Sequence, residues 1–577
     1  MRKSIATVSV SGSLAEKLDA IAAAGFDGVE IFENDLISSP LAPEEVRSRV
    51  ADLGLTIDLY QPLRDFEAVG PEALAGNLRR AERKFALMER LGAPMLLVCS
   101  SVSPDAIDDD ELAAEHLRLL ASRAAEHGIK IAYEALAWGR HVDEYLHSWR
   151  IVRMADHPNL GVCLDSFHIL SRGSDPGGIE AIPGEKIFYL QLADAPRLAM
   201  DVLQWSRHYR CFPGQGDFDV AGLVEHTLRA GYGGPLSLEV FNDIFRQASA
   251  SRTARDAMRS LILLEGGVPS TAGPVGFAFA ELTVPSPDRL SGLLTALGFA
   301  RTGRHATKPV ELWEQNGARI LLNSAHEGTS LAALGLEIPD PEGAVERAAR
   351  LLAPVLPRRR GPGEAKLDAV AAPDGTELFF CRTAEPSWRS DFTPEQVPGG
   401  DITHLDHVAL TQPRHHFDEA ALFYRGVLGL RPHQSVEFAD PYGLVRSRAM
   451  SGPDDAVRMV LNIASVSARG TPWQHVALAC RDIMATARRL HGLTLPIPGN
   501  YYDDLEARYD LGVDRLRTLR ELGLLYDRDD RGEFLHLYTA TFGRVFFEVV
   551  QRIGDYEGYG MVNSPVRLAA QHARPYA

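Results

Sequence analysis

The chain has 577 residues, enough for about four domains, and its 45% apolar content supplies several buried cores. A formal charge of −17, with Lys and Arg dispersed among acids, excludes the basic stripe of a nucleic-acid binder. Ordinary glycine and proline counts exclude a collagen-like, coiled-coil or wholly disordered chain, and five cysteines without CxxC spacing exclude a disulfide framework or zinc knuckle.

The amino terminus has two basic residues but no apolar core before charge returns at Glu16 and Lys17, so it does not read as a secretory signal. No stretch approaches the roughly 20 uninterrupted apolar residues that span a bilayer. The expectation is a cytoplasmic enzyme acting on a small molecule, with no nucleic-acid or membrane partner, and with homo-oligomerisation left open.

Residues 1–265 alternate short apolar runs with longer amphipathic stretches. The runs fall at 4–10, 27–32, 55–60, 94–99, 130–134, 160–165, 187–192 and 235–240. Intervening stretches such as PEALAGNLRRAERKFALMERLG close on a glycine suited to a helix C-cap. Eight strand–helix units in this length predict an α/β (β/α)8 TIM barrel. A doubly wound open sheet is the weaker reading, because SVSGSLAEK after the first strand is not a GxGxxG loop.

A linker rich in Gly, Pro, Ser and Thr follows at 266–276, and the pattern then changes to alternating strands with single helices. One such unit is expected at 277–385 and another at 400–577, with polar connections at 356–364 and near 385–400. The string HVAL occurs twice, with His407 and His475 in equivalent places, which implies repeated βαβββ modules.

Active-site groups of a barrel sit at the carboxyl ends of its strands. Strands five to eight end in Glu134, Asp165, Gln191 and Glu239. Carboxylates gathered without a cation would repel and raise one another's pKa, so these four are candidate oxygen ligands of a divalent metal such as Mg²⁺, Mn²⁺ or Co²⁺. In the second half, His407, His475 and Glu548 lie in alternating strands and could share one cavity. Two histidines and a carboxylate form the facial triad of non-haem Fe(II) sites, so Fe(II), Mg²⁺ or another divalent ion is expected there.

The Glu, Asp, Gln, Glu series with DSFH at 165–168 resembles the sugar phosphate isomerase/epimerase, or xylose isomerase-like, barrel superfamily. The strings YQPLRDFEA (60–68), YEALAWGRHV (133–142), LDSFHIL (164–170), QLADAP (191–196) and RCFPGQGDF (210–218) are similar to bacterial 3-dehydroshikimate dehydratases. Leu136 stands where sugar isomerases commonly carry a polar residue, which suits a partly aromatic ring. The resemblance implies metal-assisted elimination of water from 3-dehydroshikimate to protocatechuate, in quinate and shikimate breakdown. His168 is the first candidate for general base or proton relay, and His141 a weaker one that orients Glu134. Arg64 and Arg210 are candidates for gripping the substrate carboxylate, with Tyr60 beside them.

Residues 277–577 resemble 4-hydroxyphenylpyruvate dioxygenase of the vicinal oxygen chelate superfamily, through strings including LDHVALT, NYYDDLEARY, FFEVVQR and GYGMVN. As in that family, the first module lacks metal histidines. Pocket positions Ser447, Asn462, Gln474 and Asn563 match, whereas His536, Tyr538 and Ser564 replace a glutamine and aromatic groups that would hold a hydroxyphenyl keto acid. The expectation is a dehydratase barrel joined to a dioxygenase-like region that does not oxidise 4-hydroxyphenylpyruvate. Two alternatives stay open: a sugar isomerase or epimerase fused to an active dioxygenase, and a non-catalytic carboxyl-terminal module.

Overall fold

The computed structural model describes residues 1–358, 360–382, 387–393, 398–464 and 473–573. The expected polar connections at 356–364 and 385–400 fall partly outside the described residues, as do residues 465–472 ahead of the second HVAL string. The chain divides into two compact units, Met1–Gly267 and Val268–Ala577.

The first unit is a closed barrel of eight parallel strands in sequence order: β1 (Lys3–Ala6), β2 (Gly28–Phe32), β3 (Thr56–Leu63), β4 (Met95–Cys99), β5 (Lys130–Glu134), β6 (Leu160–Asp165), β7 (Ile187–Leu192) and β8 (Leu236–Leu238). Both faces of each strand are covered, so the strands read as near-continuous apolar runs rather than alternating ones. Helices end as the sequence predicts. The helix Pro71–Leu91, for example, begins with proline in its first turn and stops at Gly92, whose φ of 77° is the left-handed cap that glycine adopts without strain.

The first strand is shorter than expected, because Thr7–Ser9 form a 3-10 turn at the barrel mouth, where Thr7 Oγ1 accepts the Phe32 N–H. The third is longer and irregular, running through a cis Gln61–Pro62 bond with a register shift that delivers Arg64 to the mouth.

The second unit holds two sheets. In the first, β9 (Gly276–Thr283), β10 (Ala300–Arg304), β11 (Val310–Gln315), β12 (Ala318–Asn323), β13 (Ser330–Glu337), β14 (Asp368–Ala371) and β15 (Glu377–Cys381) lie in the order β10-β11-β12-β9-β13-β15-β14. In the second, the strands are β16 (Ile402–Thr411), β17 (Arg431–Pro432), β18 (Val436–Asp440), β19 (Gly443–Ser451), β20 (Arg458–Ala464), β21 (Gln474–Cys480), β22 (Leu525–Arg528), β23 (Gly532–Tyr538) and β24 (Val545–Gly554). They run β17-β19-β20-β16-β21-β24-β23-β22, with β18 against β19.

In both sheets the two halves meet through antiparallel central strands, β9 on β13 and β16 on β21, which is the paired vicinal oxygen chelate architecture. Two helices of the second sheet, Gly499–Arg508 and Val513–Leu522, were not anticipated from the alternating pattern. They fill the connection between β21 and β22. Among the described residues no helix is long and apolar enough to cross a membrane.

Candidate functional sites

At the carboxyl end of the barrel, Glu134, Asp165 and Glu239 converge, all buried. Their meeting follows from the parallel register, which sets Glu134 beside Cys163 and Asp165 beside Gln191. Asp165 also caps the short helix Ser166–Ser171, its Oδ1 accepting the N–H groups of Phe167 (2.6 Å) and His168 (3.1 Å). The DSFH string therefore fixes the carboxylate and places His168 over it. Its Nε2 lies 3.8 Å from Glu134 Oε1 and 3.9 Å from Asp165 Oδ2.

Arg210 is the cation of this cluster. Its Nη1 donates to Asp165 Oδ2 (2.7 Å) and Glu239 Oε2 (3.1 Å), and its guanidinium bonds Ser206 Oγ between the rings of Phe167 and Phe241. This corrects the expectation that Arg210 grips substrate. The backbone bridge between Asp194 and Cys211 turns the loop back into the barrel, so residue 210 enters the interior and its donors are occupied by protein carboxylates.

Burial sets the electrostatics. It pushes Glu134 well above the usual carboxylate range, and Asp165 and Glu239 push it further. Burial also pushes Glu239 up to about 7, against the pull of Arg210. Asp165 stays below its ordinary value in spite of burial, because Arg210 and His168 face it. Burial, with Arg210 close by, takes His168 down to about 3, so its imidazole is neutral.

Gln191 shares the cluster's floor. Its Nε2 donates to Glu30 Oε2 (2.6 Å) and its Oε1 lies 3.3 Å from Cys163 Sγ. Glu30 on β2 also accepts from Gln61 Nε2 (2.8 Å) and from Ser237. Sequence reasoning missed this buried layer, whose one signal is a glutamate inside the apolar run DGVEIF. Glu134 Oε1 is buried without a hydrogen-bond partner and within ligand distance of Asp165 and His168. An orphaned carboxylate oxygen among further carboxylates fits a divalent cation.

Two other candidates lie away from the cluster. His141 turns outward, its Nε2 3.1 Å from Ala106 O and its Nδ1 3.6 Å from Asp108. It does not touch Glu134, because Arg140 N–H to Ser101 O pins the segment against the loop after β4. Tyr60 packs under the Lys84 ammonium, 5.1 Å from the ring centroid, while its neighbour Gln61 takes the inward position. Strand alternation thus turns Tyr60 toward the helix layer.

Arg64 does lie at the mouth, where the loop carrying it is tied down by Glu67 accepting from Ser101 N–H (2.6 Å) and Tyr133 OH (3.0 Å). A cleft of about 760 Å³ at the barrel mouth is lined by Val8, Phe32, Arg207, Phe241 and Arg246, and Arg64 stands outside its lining. Arg207 feels the fields of Arg64, Arg210 and Arg246, which with burial hold its pKa below the ordinary value. Among the described residues none of Arg64, Arg207 and Arg246 has an ion-pair partner. Arg207 and Arg246 were invisible in the sequence, since surface arginines are the default and only the fold gathers them.

The loop over this mouth hangs on Asp194, whose carboxylate accepts the N–H groups of Ala195, Gly214, Gly216 and Phe218 at 2.8–3.0 Å. Asp194→Ala leaves these donors without their acceptor and should cost on the order of 3 kcal/mol, read as a lowered Tm of the barrel.

The second site joins the central strands of the second sheet. His407 Nε2 and His475 Nε2 each lie 3.1 Å from Glu548 Oε2 and 3.3 Å from each other. The register places His475 beside Ala409 and Phe546, and Glu548 beside Ala477. A register shift between Leu405 and His407 lets adjacent residues share the site, so Asp406 Oδ1 takes His407 Nδ1 at 2.9 Å. Asp406 is gripped in turn by Arg552 through two 2.9 Å bonds, which hold it far below its ordinary pKa despite burial. Carboxylate support of a ligand histidine is usual behind a metal. Sequence reasoning missed Asp406 because neighbours on a regular strand face opposite ways.

His536 bonds Glu548 Oε1 through Nδ1 (2.6 Å) and meets Asn563 Nδ2 through Nε2 (2.9 Å). Tyr538 stands opposite Glu548, its ring under the Arg567 guanidinium, and Ser564 opens the final helix Ser564–His572. Ser447 and Gln474 are buried, Ser447 Oγ without a partner. Two imidazoles and a carboxylate with converging lone pairs fit a divalent cation.

Residues 18–262 match the family described as xylose isomerase-like TIM barrel, and residues 269–383 the amino-terminal domain of hydroxyphenylpyruvate dioxygenase. Residues 404–502 match the glyoxalase/bleomycin resistance protein/dioxygenase superfamily. The chain is 45% identical to a 3-dehydroshikimate dehydratase of Pseudomonas putida over 99% of this chain and 98% of that one, and 46% identical to one of Pseudomonas aeruginosa with the same coverage. A solved structure described as a xylose isomerase-like TIM barrel/4-hydroxyphenylpyruvate dioxygenase fusion protein superposes over 100% of both chains, with TM-score 0.91 and 43% identity. The chain therefore belongs to the family formed by these proteins, in which a xylose isomerase-like barrel is joined to a hydroxyphenylpyruvate dioxygenase-like region.

Proposed function

We propose that the barrel, residues 1–265, dehydrates 3-dehydroshikimate to 3,4-dihydroxybenzoate, and that 277–385 and 400–577 form two vicinal oxygen chelate domains behind the 266–276 linker. The reading is carried by the convergence of Glu134, Asp165 and Glu239 in a barrel nearly half identical to 3-dehydroshikimate dehydratases along its whole chain. Incubating the protein with 3-dehydroshikimate and following the catechol absorbance of the product tests it.

In this reading Glu134, Asp165, Gln191 and Glu239 hold a divalent cation, which when bound polarises the substrate ketone and acidifies the proton conjugated to it. Loss of that proton and of the neighbouring hydroxyl, followed by tautomerisation, makes the ring aromatic. Arg210 neutralises Asp165 and Glu239 and holds both in place. Ala137 N–H donates to His168 Nδ1 (3.1 Å), and Arg210 Nη2 lies 3.2 Å from Nε2, the nitrogen facing the cluster. His168 Nε2 is thus placed at the cluster, beside Arg210, to hydrogen-bond the reacting groups of the substrate. Leu136 packs with Leu59, Cys99 and Cys163 and supplies an apolar wall.

Arg64, Arg207 and Arg246 form the carboxylate anchor at the mouth. Arg207→Ala and Arg64→Ala should raise KM about tenfold or more while kcat changes little, as expected for a charge contact made equally in ground and transition states. His168→Ala should lower kcat with KM nearly unchanged, and His168→Gln, which keeps a donor, should recover part of it. Steady-state kinetics decides, and an unaltered kcat in His168→Ala would move the proton to another group.

For the carboxyl-terminal region we propose a divalent-cation site at His407, His475 and Glu548 without 4-hydroxyphenylpyruvate turnover. The support is His536, which bonds both Glu548 and Asn563 where the resemblance calls for a substrate-binding glutamine.

A further inference from the structure

The two sheets of the second unit share one pairing scheme, so the ligand positions of one can be found in the other. In the second sheet His407 faces Ala477, which lies beside Glu548, and His475 faces Ala409. In the first sheet Phe279 faces Gly335, which lies beside Phe379, and Ala333 faces Glu281. The triad His407, His475 and Glu548 therefore corresponds to Phe279, Ala333 and Phe379. Asn462, paired with Thr411, corresponds to Asn323, paired with Thr283. The first module lacks the metal ligands, yet the space above those positions is not filled. A cavity of about 360 Å³ remains, within the range of small-molecule sites.

Its walls have a definite polarity. Phe279, Phe379 and Trp388 make an aromatic floor, with ring centroids 5.8 Å and 4.9 Å from Phe279. Within the cavity, Glu281 holds the Asn323 amide at 2.6 Å, which fixes a carboxylate oxygen and an amide toward the interior. Exposed cations stand around the opening. Arg358 lies 4.3 Å over the Phe379 ring, and Arg360 has no ion-pair partner among the described residues. Lys308, Lys366 and Arg358 are matched by Glu364, Asp368 and Glu377, so Arg360 is the cation best placed to meet an added anion, with Arg358 beside it.

We infer that this cavity binds a small aromatic carboxylate bearing a ring hydroxyl, in a metal-free counterpart of the neighbouring site. The ring lies on Phe279 and Phe379, the hydroxyl reaches Glu281 and Asn323, and the carboxylate leaves toward Arg360, where Arg358, shared with Glu377, adds a second guanidinium. The opposite orientation would set the ligand anion against Glu281. Aromatic stacking selects a planar ring, and the separation of the Glu281–Asn323 pair from Arg360 selects a hydroxyl at the end remote from the carboxylate. The product of the proposed barrel reaction belongs to this class, although the cavity's lining selects the class whatever the barrel makes.

The test uses the full chain, with Trp388 fluorescence and calorimetry, and 3,4-dihydroxybenzoate, benzoate and cyclohexanecarboxylate as probes. Saturable quenching by 3,4-dihydroxybenzoate is expected, and it should vanish in Trp388→Phe. Arg358→Gln with Arg360→Gln, both exposed, should weaken binding about tenfold or more, and Glu281→Gln should weaken the dihydroxy acid more than benzoate. Equal binding of cyclohexanecarboxylate, unchanged affinity in the double arginine variant, or no quenching would overturn the inference. Dehydration of 3-dehydroshikimate is assayed on the same samples, so a failed barrel reading shows as absent turnover whether or not the cavity binds.

Discussion

Glu134→Gln should reduce dehydration of 3-dehydroshikimate on the order of a thousandfold, with Glu239→Gln close behind. The substitution keeps the volume of the side chain but removes a carboxylate whose Oε1 meets no protein donor, Oε2 alone taking a bond from Cys99 Sγ. Were the cluster only a structural ion pair, neutralising Glu134 would relieve its repulsion with Asp165 and Glu239 and leave or raise stability. Were it a cation site, the same change would lower bound metal and turnover together. Metal content by elemental analysis, thermal melting and product absorbance separate the two cases. Chelation of wild-type protein should silence turnover, and added Mg²⁺, Mn²⁺ or Co²⁺ should restore it. Full turnover in a demonstrably metal-free sample would refute the proposal.

His407→Ala combined with His475→Ala should remove one class of bound divalent metal while leaving dehydration within about twofold, because different strands hold the two sites. Asp406→Asn is the finer probe. It weakens the acceptor for His407 Nδ1 and breaks the Arg552 clamp, so metal affinity at this site should fall about 10–100-fold, as for other supports of ligand histidines. An oxygen electrode should record little consumption with Fe(II) and 4-hydroxyphenylpyruvate, since His536 is committed to Glu548 and Asn563. Homogentisate formation at about 1 s⁻¹ or faster, an ordinary enzyme rate, would show that the altered wall still orients that substrate.

Periodicity and strand-end chemistry were legible in the sequence. Eight apolar runs separated by amphipathic stretches determine a barrel, because parallel strands covered on both faces can be spelled in few ways. A carboxylate that ends a strand is brought to the mouth by register alone, so Glu134, Asp165 and Glu239 could be picked out one strand at a time. The doubled HVAL string likewise announced two equivalent strands, and with them His407 and His475.

Tertiary structure decided what depends on loops, bulges and gathered charges. Arg210 was expected at the substrate and Arg207 was not, yet the Asp194–Cys211 bridge buries Arg210 among carboxylates while Arg207 lines the mouth. Tyr60 turns toward the Lys84 ammonium while Gln61 takes the inward position, and His141 is held outward by a backbone bond from Arg140. Asp406 reaches its own neighbour's ring only because a bulge breaks the alternation of β16. Glu30, one glutamate in an apolar run, acquires its meaning from Gln61, Gln191 and Ser237, which lie far from it along the chain. Local pattern determines which face of an element is buried. Which side chains then share that buried space is set by contacts between residues distant in sequence, and no local pattern records them.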